Sequence, residues 1–216
     1  MRRELVAELL DSDAGSADEV RASLRDLERI NRWFGGVHTT ARMLRKATTH
    51  GKNDRFSVLD VAAASSRVAE LAAERAGIAA DVTRLDRAAT HFQGSAGIVG
   101  DALRLPFRDG AFDVVHSCLF LHHLGAPEAQ LFLQDALRVA RVAVLVNDLR
   151  RGHLHWLSVK AASPILFSRI TQHDGPASVK QAYTREELVA IAKATGARWE
   201  VERSFFFRFA MILWKP

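Results

Sequence analysis

The residues in this chain best suited to chemistry are acids at the ends of short apolar segments and a set of histidines further on. Asp60 lies near the C-terminal end of Ser57–Val61, Asp86 follows Asp81–Leu85, and Asp101 follows Gly97–Gly100. An ionised carboxylate only accepts hydrogen bonds, so an acid at the end of a second strand can take ribose hydroxyls. Asp101 can accept from an exocyclic amino group such as that of adenine. One acid at a strand end reads as a helix cap; three at successive strand ends read as a nucleoside site. The histidines supply a proton acceptor near neutral pH. His122 and His123 follow the fourth apolar segment, and His173 precedes Asp174 in I-T-Q-H-D-G-P. Each is equally readable as a surface or structural residue, and adjacency alone does not pair His173 with Asp174. Asn147-Asp148-Leu149-Arg150-Arg151 either faces an anionic or phenolate group or forms a salt-bridged loop. No metal site is expected. Neighbouring side chains on a helix diverge, and no cluster of liganding carboxylates accompanies His122-His123 or His153-Leu154-His155.

These residues are positioned by a strand, a tight turn and a helix between Phe56 and Glu70. Ser57–Val61 is a short apolar run with β-branched residues, the mark of a buried strand. Ala62–Ser66 are all tiny, and Val68, Leu71 and Ala72 then share one helical face. In such a unit a ligand sits at the strand C-terminus and the helix N-terminus. Strands at Asp81–Leu85, Gly97–Val99, Phe112–Leu119 and Ala140–Val146 alternate with helices, Ala88–Gln93 being a short one and Ala126–Val139 strongly amphipathic. Gly77 is placed to cap the first of these helices. That alternation predicts an α/β fold with a parallel sheet covered on both faces.

Upstream, residues 1–50 read as helical, with Val6, Leu9 and Leu10 on one segment and Val20, Leu24, Leu27 and Ile30 on the next. Asp11–Asp18 separates them, a helix at Thr39–Lys46 follows, and a polar turn at Gly51–Arg55 leads into the first strand. These helices either pack ahead of the sheet or form a lid, with Trp33 and Phe34 facing the ligand and Gly35-Gly36 as hinge. Downstream, Arg150–Lys180 is irregular to helical. Thr184–Glu187 is a capping box with Tyr183 and Leu188 as its staple. Trp199–Arg203 and Phe206–Trp214 read as an antiparallel pair. One domain results, divided as 1–50 helical lid, 55–148 core, 149–182 substrate-lid insertion and 183–216 terminal helix and strand pair.

The chain has 216 residues, of which 48% are hydrophobic and 25% charged, with a formal net charge of +5. This is the composition of a soluble globular domain. The charges are scattered, without the basic and aromatic clustering of a nucleic-acid binder. A single cysteine, Cys118, excludes an internal disulfide and a multi-cysteine zinc site. Glu4 and Glu8 interrupt the N-terminus too early for a signal peptide, and Arg208 interrupts the best apolar run, Phe205–Trp214. A cytoplasmic location is expected.

V-L-D-V, then L-D, then G-D-A-L-R-L-P-F-R-D-G-A-F-D-V-V and L-F-L-H-H-L resemble the class I S-adenosylmethionine-dependent methyltransferases. The likeness is greatest to small-molecule enzymes similar to ubiquinone and menaquinone methyltransferases, and it covers residues 56–148. It implies a Rossmann-like, seven-stranded sheet with the last strand antiparallel, and S-adenosylmethionine as cofactor. By the resemblance Asp60 lies beside the cofactor loop, Asp86 binds ribose, Asp101 and the backbone of Ala102 bind adenine, and Ser117 lies near the methionine moiety. Leu105 and Phe107 either touch the adenine or pack beneath it. His173, with Asp174, and His122 are the candidate bases. Trp33, Phe34, His123, Asp148 and Arg150 are the candidate contacts to a small, partly hydrophobic, phenolic or quinone-like acceptor. No nucleic acid or membrane partner is expected, and a homodimer is left open.

The family's loop has the form G-x-G-x-G, whereas Ala62, Ala64 and Ser66 stand in those places here. Alanine at positive φ costs on the order of 1 kcal/mol, so either the turn survives with weaker binding or the chain is a degenerate, non-catalytic scaffold. A nicotinamide dehydrogenase would need G-x-G-x-x-G after the first strand, which is absent. A nucleic-acid amino-methyltransferase would carry Asn- or Asp-Pro-Pro-aromatic where His116-Ser117-Cys118 stands.

Overall fold

A computed structural model of the chain describes residues 1–49, 55–92 and 94–216. Its centre is a seven-stranded sheet in the order β3-β2-β1-β4-β5-β7-β6. The strands are β1 Arg55–Val61, β2 Ala79–Asp86, β3 Ile98–Val99, β4 Phe112–Cys118, β5 Ala140–Leu149, β6 Arg198–Ser204 and β7 Arg208–Trp214. β1 pairs in parallel with β2 and β4, and β4 with β5, while β7 runs antiparallel to both β5 and β6. The order reverses between β1 and β4, the switch point where open α/β sheets leave a crevice at their strand C-termini. The fold matches the expected Rossmann-like sheet, including its reversed last strand.

The helices are α1 Ala17–Trp33, α2 Gly36–Thr48, α3 Val68–Ala76, α4 Ala126–Val139, α5 His153–Leu166, α6 Arg169–Gln181 and α7 Arg185–Ala194. Alternation along the strands sorts the core into two layers. Val58, Val114 and Leu145 face α2 and α3, meeting Ala41, Leu44 and Ala72. Leu59, Val115 and Val144 face α4 and α7, meeting Phe132, Leu133 and Leu188. The capping box at Thr184 and Glu187 forms, with Tyr183 and Leu188 buried beside it. Gly77 caps α3 at φ +72°.

The N-terminus departs from expectation. The spacing of Val6, Leu9 and Leu10 predicts a helix, but residues 1–8 have no regular structure and a 3-10 turn follows at Leu10–Ser12. The segment lies as a strap across the C-terminal edge of the sheet. Arg3 donates to the carbonyls of Gln181, His122 and Leu124, and the Leu9 and Leu10 amides donate to Asp174 at 2.8 and 3.0 Å. Its backbone groups find tertiary partners, so helix formation is not needed to satisfy them. The insertion after β5 is two helices, and α6 seals against α1 through Ile170, Val20 and Leu24 and a Ser23–Thr171 hydroxyl pair at 3.0 Å. The short helix predicted at Ala88–Gln93 is a 3-10 turn at Ala89–Phe92. The predicted turn at 51–54 lies outside the described residues.

Leu133 on α4 is fully buried between helix and sheet. Leu133→Ala is expected to lower stability by about 2–5 kcal/mol, read as a shifted urea midpoint with an unchanged denaturant slope.

Candidate active site

Between β1 and α3 the chain turns through Ala62–Ser66. Ala62 and Ala64 hold φ of +55° and +48°, the left-handed conformation that glycine would adopt freely. The Ala63 amide donates to the Leu85 carbonyl at 3.2 Å and the Ser66 amide to Ala63 at 2.9 Å. The Ala64 amide donates to the Asp86 carboxylate at 2.9 Å. The loop thus keeps the glycine-type backbone despite the strain of two Cβ atoms, and those atoms do not plug the space beside it. A cavity of about 670 Å³ lies there, lined by the loop and by Asp60, Asp86, Asp101 and Ala102. Its size suits a small-molecule ligand.

The three strand-tip acids all reach this cavity and differ in what they have to spare. Asp86 accepts from the Ala64 and Ala88 amides and from His91 Nδ1 at 3.1 Å. Three of its roughly four lone-pair sites are therefore used, and taking both ribose hydroxyls requires His91 to let go. Burial acts to raise the Asp86 carboxyl, but His91 and the amides outweigh it and hold it below its ordinary range. Asp101 is exposed, and one of its oxygens accepts from the Leu103 amide. Asp60 is buried, with one oxygen 2.6 Å from His116 Nδ1.

Also on the cavity wall, β4 leads into a 3-10 turn at Leu121–His123. His122 Nδ1 donates to Asp148 at 2.6 Å, and the His122 amide donates to the other Asp148 oxygen at 3.0 Å. Glu8 Oε1, on the strap, lies 3.7 Å from His122 Nε2, an ion-pair distance too long for a hydrogen bond. Burial disfavours the His122 imidazolium, but Asp148 and then Glu8 overcome it and raise the pKa to about 10. Phe34, Phe167, Phe206 and Phe207 supply apolar wall. Cys118 also lines the cavity, and burial pushes its thiol up to about 12, so it stays neutral.

Of the residues singled out in the sequence, Phe34, Asp60, Ala62, Ala64, Asp86, Asp101, Ala102, His122, His123 and Asp174 line the cavity. Five other expected residues do not. His173 is exposed and outside the lining, because α6 turns it outward; the expectation that it is a base is corrected accordingly. Its Nδ1 does pair with Asp174 at 2.8 Å, but Asp174, although beside the cavity, spends both oxygens on the strap amides. Trp33 is 61% exposed and stacks under Arg29. Ser117 is buried at the end of β4 and outside the lining, its hydroxyl without a hydrogen-bond partner among the described residues, whereas Cys118 and Leu119 line the cavity. Arg150 lies over the Phe207 ring, and Asp148 acts on the cavity only through His122.

Sequence reasoning missed Glu8, His91, His116 and Arg208. Only Arg208 carried a signal, a lone charge inside an apolar strand. It is 1% exposed and donates to the Phe34 carbonyl at 2.7 Å, Asn31 at 3.0 Å and Asn147 at 3.2 Å.

Residues 59–144 match the family model described as a methyltransferase domain. No curated protein matches the chain in sequence. Among solved structures, a SAM-dependent methyltransferase from Aquifex aeolicus superposes with a TM-score of 0.63 at 14% identity, over 94% of this chain and 100% of that one. The plantazolicin methyltransferase BpumL, in complex with a triazolic desmethylPZN analog and SAH, gives 0.70 at 11% identity, over 96% and 93%. A putative methyltransferase from an antibiotic biosynthesis pathway of Anabaena variabilis gives 0.54 at 14%, over 76% and 64%. At these identities the likeness is one of fold, and it extends from the matched segment over nearly the whole chain.

His91 carries a pH prediction. Asp86 first, then Asp13 at 3.0 Å against the effect of burial, raise its pKa above the ordinary value. Its contribution to stability is therefore complete below about pH 6.5 and is lost as pH rises through the raised folded value. Urea midpoints are expected to fall across that window, and His91→Gln, which does not titrate, should remove this part of the slope.

Proposed function

We propose that the chain is an S-adenosylmethionine-dependent methyltransferase acting on a small, partly hydrophobic acceptor of phenolic or quinone-like type. The observation that carries this is the continuity of one cavity. The alanine loop and the acid tips line one end, and the His122 cluster with the phenylalanine walls lines the other. The residues present fit the nucleoside cofactor. Asp86 and Asp101 offer carboxylate acceptors, the left-handed loop brings backbone close to the cavity, and no loop side chain fills it. When bound, S-adenosylmethionine supplies the methyl group as an electrophilic sulfonium carbon.

The chain's own residues then position the acceptor and handle its proton. Phe34, Phe167, Phe206 and Phe207 enclose an aromatic acceptor and exclude water from it. His122, held as the imidazolium by Asp148, donates a hydrogen bond and is not the group that takes a proton. Glu8, facing it at 3.7 Å, is a carboxylate whose pKa His122 and His123 keep low against the effect of burial, and it is the available acceptor. A scaffold reading would require a loop whose Cβ atoms block the nucleoside end; the open cavity favours the enzyme. The ubiquinone- and menaquinone-like subtype belongs to this proposal through the sequence resemblance alone, as does the cytoplasmic location. Among the described residues no helix is long and apolar enough to cross a membrane.

Calorimetry with S-adenosylhomocysteine is the test. Saturable binding with thermal stabilisation is expected, Asp86→Ala should weaken it at least tenfold, and His173→Ala should leave it unchanged. No heat and no stabilisation at millimolar ligand would leave the scaffold reading standing.

A further inference from the structure

We propose that Glu8, His122 and His123 form a binding site for a divalent transition-metal ion of the zinc class, at the acceptor end of the cavity and with one coordination position open to it. One liganding atom from each residue lies within 4.8 Å of the others. The sequence suggests that adjacent histidines diverge, but on the 3-10 turn their ring centroids are 4.3 Å apart with planes inclined by 33°. The carboxylate missing from the local sequence arrives from the N-terminal strap.

The surrounding contacts hold these three groups as ligands are usually held. A metal-binding imidazole typically donates its other N–H to a carboxylate, which fixes the ring and directs the free nitrogen inward. His122 Nδ1 does this to Asp148 at 2.6 Å, and His123 Nδ1 lies 3.1 Å from Asp11. Both Nε2 atoms are left facing Glu8, at 3.7 Å from Oε1 and 4.0 Å from Oε2. Glu8 Oε1 is oriented in turn by the Ser178 hydroxyl and the Gln181 amide, each at 2.7 Å.

An independent observation is His122 Nε2 itself. It is buried without a hydrogen-bond partner, on a residue 2% exposed, and a buried polar atom in that state is costly. A cation bound there would displace the Nε2 proton that His122 carries as an imidazolium, releasing it to solvent, and would take its place in balancing the negative charge of Glu8, Asp11 and Asp148. Zinc bonds of about 2.0–2.1 Å place tetrahedral ligands roughly 3.3 Å apart, so the Glu8–histidine distances of 3.7 and 4.0 Å must shorten slightly, and the widest separation, up to 4.8 Å, by up to about 1.5 Å. Two histidines and one glutamate leave a fourth position, the composition of catalytic rather than structural zinc sites. Facing the cavity, that position would take an oxygen ligand such as a phenolate or enolate. This last role rests on the methyl-transfer reading, whereas metal binding does not.

The experiment uses untagged, chelator-treated full-length protein titrated with Zn²⁺ in a calorimeter, with Co²⁺ substitution followed by visible absorption. One saturable equivalent is expected, with an intense Co²⁺ spectrum of low coordination number. Glu8→Gln and His123→Gln, chosen because they spare the most buried ring, should each weaken affinity at least tenfold. Asp148→Asn should weaken it by roughly 10–100-fold. The proposal is overturned if no equivalent saturates, if the Co²⁺ spectrum stays that of the aquo ion, or if the site survives both single variants while circular dichroism shows them folded. In that case the cluster is an imidazolium locked between carboxylates. S-adenosylhomocysteine binding to the same chelated protein separates the two readings: binding without metal uptake removes only the metal site, and metal uptake without it removes only the methyl-transfer assignment.

Discussion

The cavity depends on a guanidinium that has no carboxylate partner among the described residues. Arg208 is buried at the start of β7, and a charge removed from water in this way is tolerable only when its donors are satisfied. Its acceptors come from elements distant in sequence: the Phe34 carbonyl and Asn31 at the end of α1, and Asn147 on β5. Asn147 continues the chain of contacts to the Gly36 carbonyl at 2.8 Å and to Thr40 at 3.0 Å. Thr40 meets His116 at 3.1 Å, and His116 meets Asp60 at 2.6 Å. One buried polar chain therefore runs from the reversed strand to Asp60, beside the Ala62–Ser66 loop. It fixes the α1–α2 corner against the sheet, and Gly35, at φ +86° with a Cβ position only 2.8 Å from the Phe205 carbonyl, allows that corner to close.

Above this floor the roof is held mostly by polar contacts. The strap hangs on Asp174 through two amides, on Arg3 through three carbonyls, and on the acids and histidines around His91 and His122. Segments attached by few apolar contacts open at low free-energy cost. A strap held in this way carries Glu8 to the cavity while remaining able to open. The cover over the cavity is an extended segment and α6, where the sequence suggests hinged helices with Trp33 at the tip.

The alanine loop shows how far a residue pattern can drift while the backbone stays. Two left-handed alanines cost on the order of 1 kcal/mol each, comparable to the gain from the Ala64 amide bond to a charged Asp86. The loop is thus affordable because Asp86 is in place to hold it. The same contact uses acceptor capacity that the proposed ribose contact would need.

The sequence by itself determined the sheet, its alternation with helices and the acids that meet at the cavity wall. Those features depend on local signals: apolar runs at Ser57–Val61 and Phe112–Leu119, the cap at Gly77, the box at Thr184, and acids at successive strand tips. Periodicity and capping act over a few residues and survive in a single chain read alone. The cluster around His122 was decided only in three dimensions. Glu8 meets His122 across 114 positions, Asp148 orients His122 from another strand, and Arg208 joins elements more than 170 residues apart. The same limit explains why His173 reads as a base yet faces solvent. A helix presents four sides, and which one meets the cavity is settled by what packs against the others.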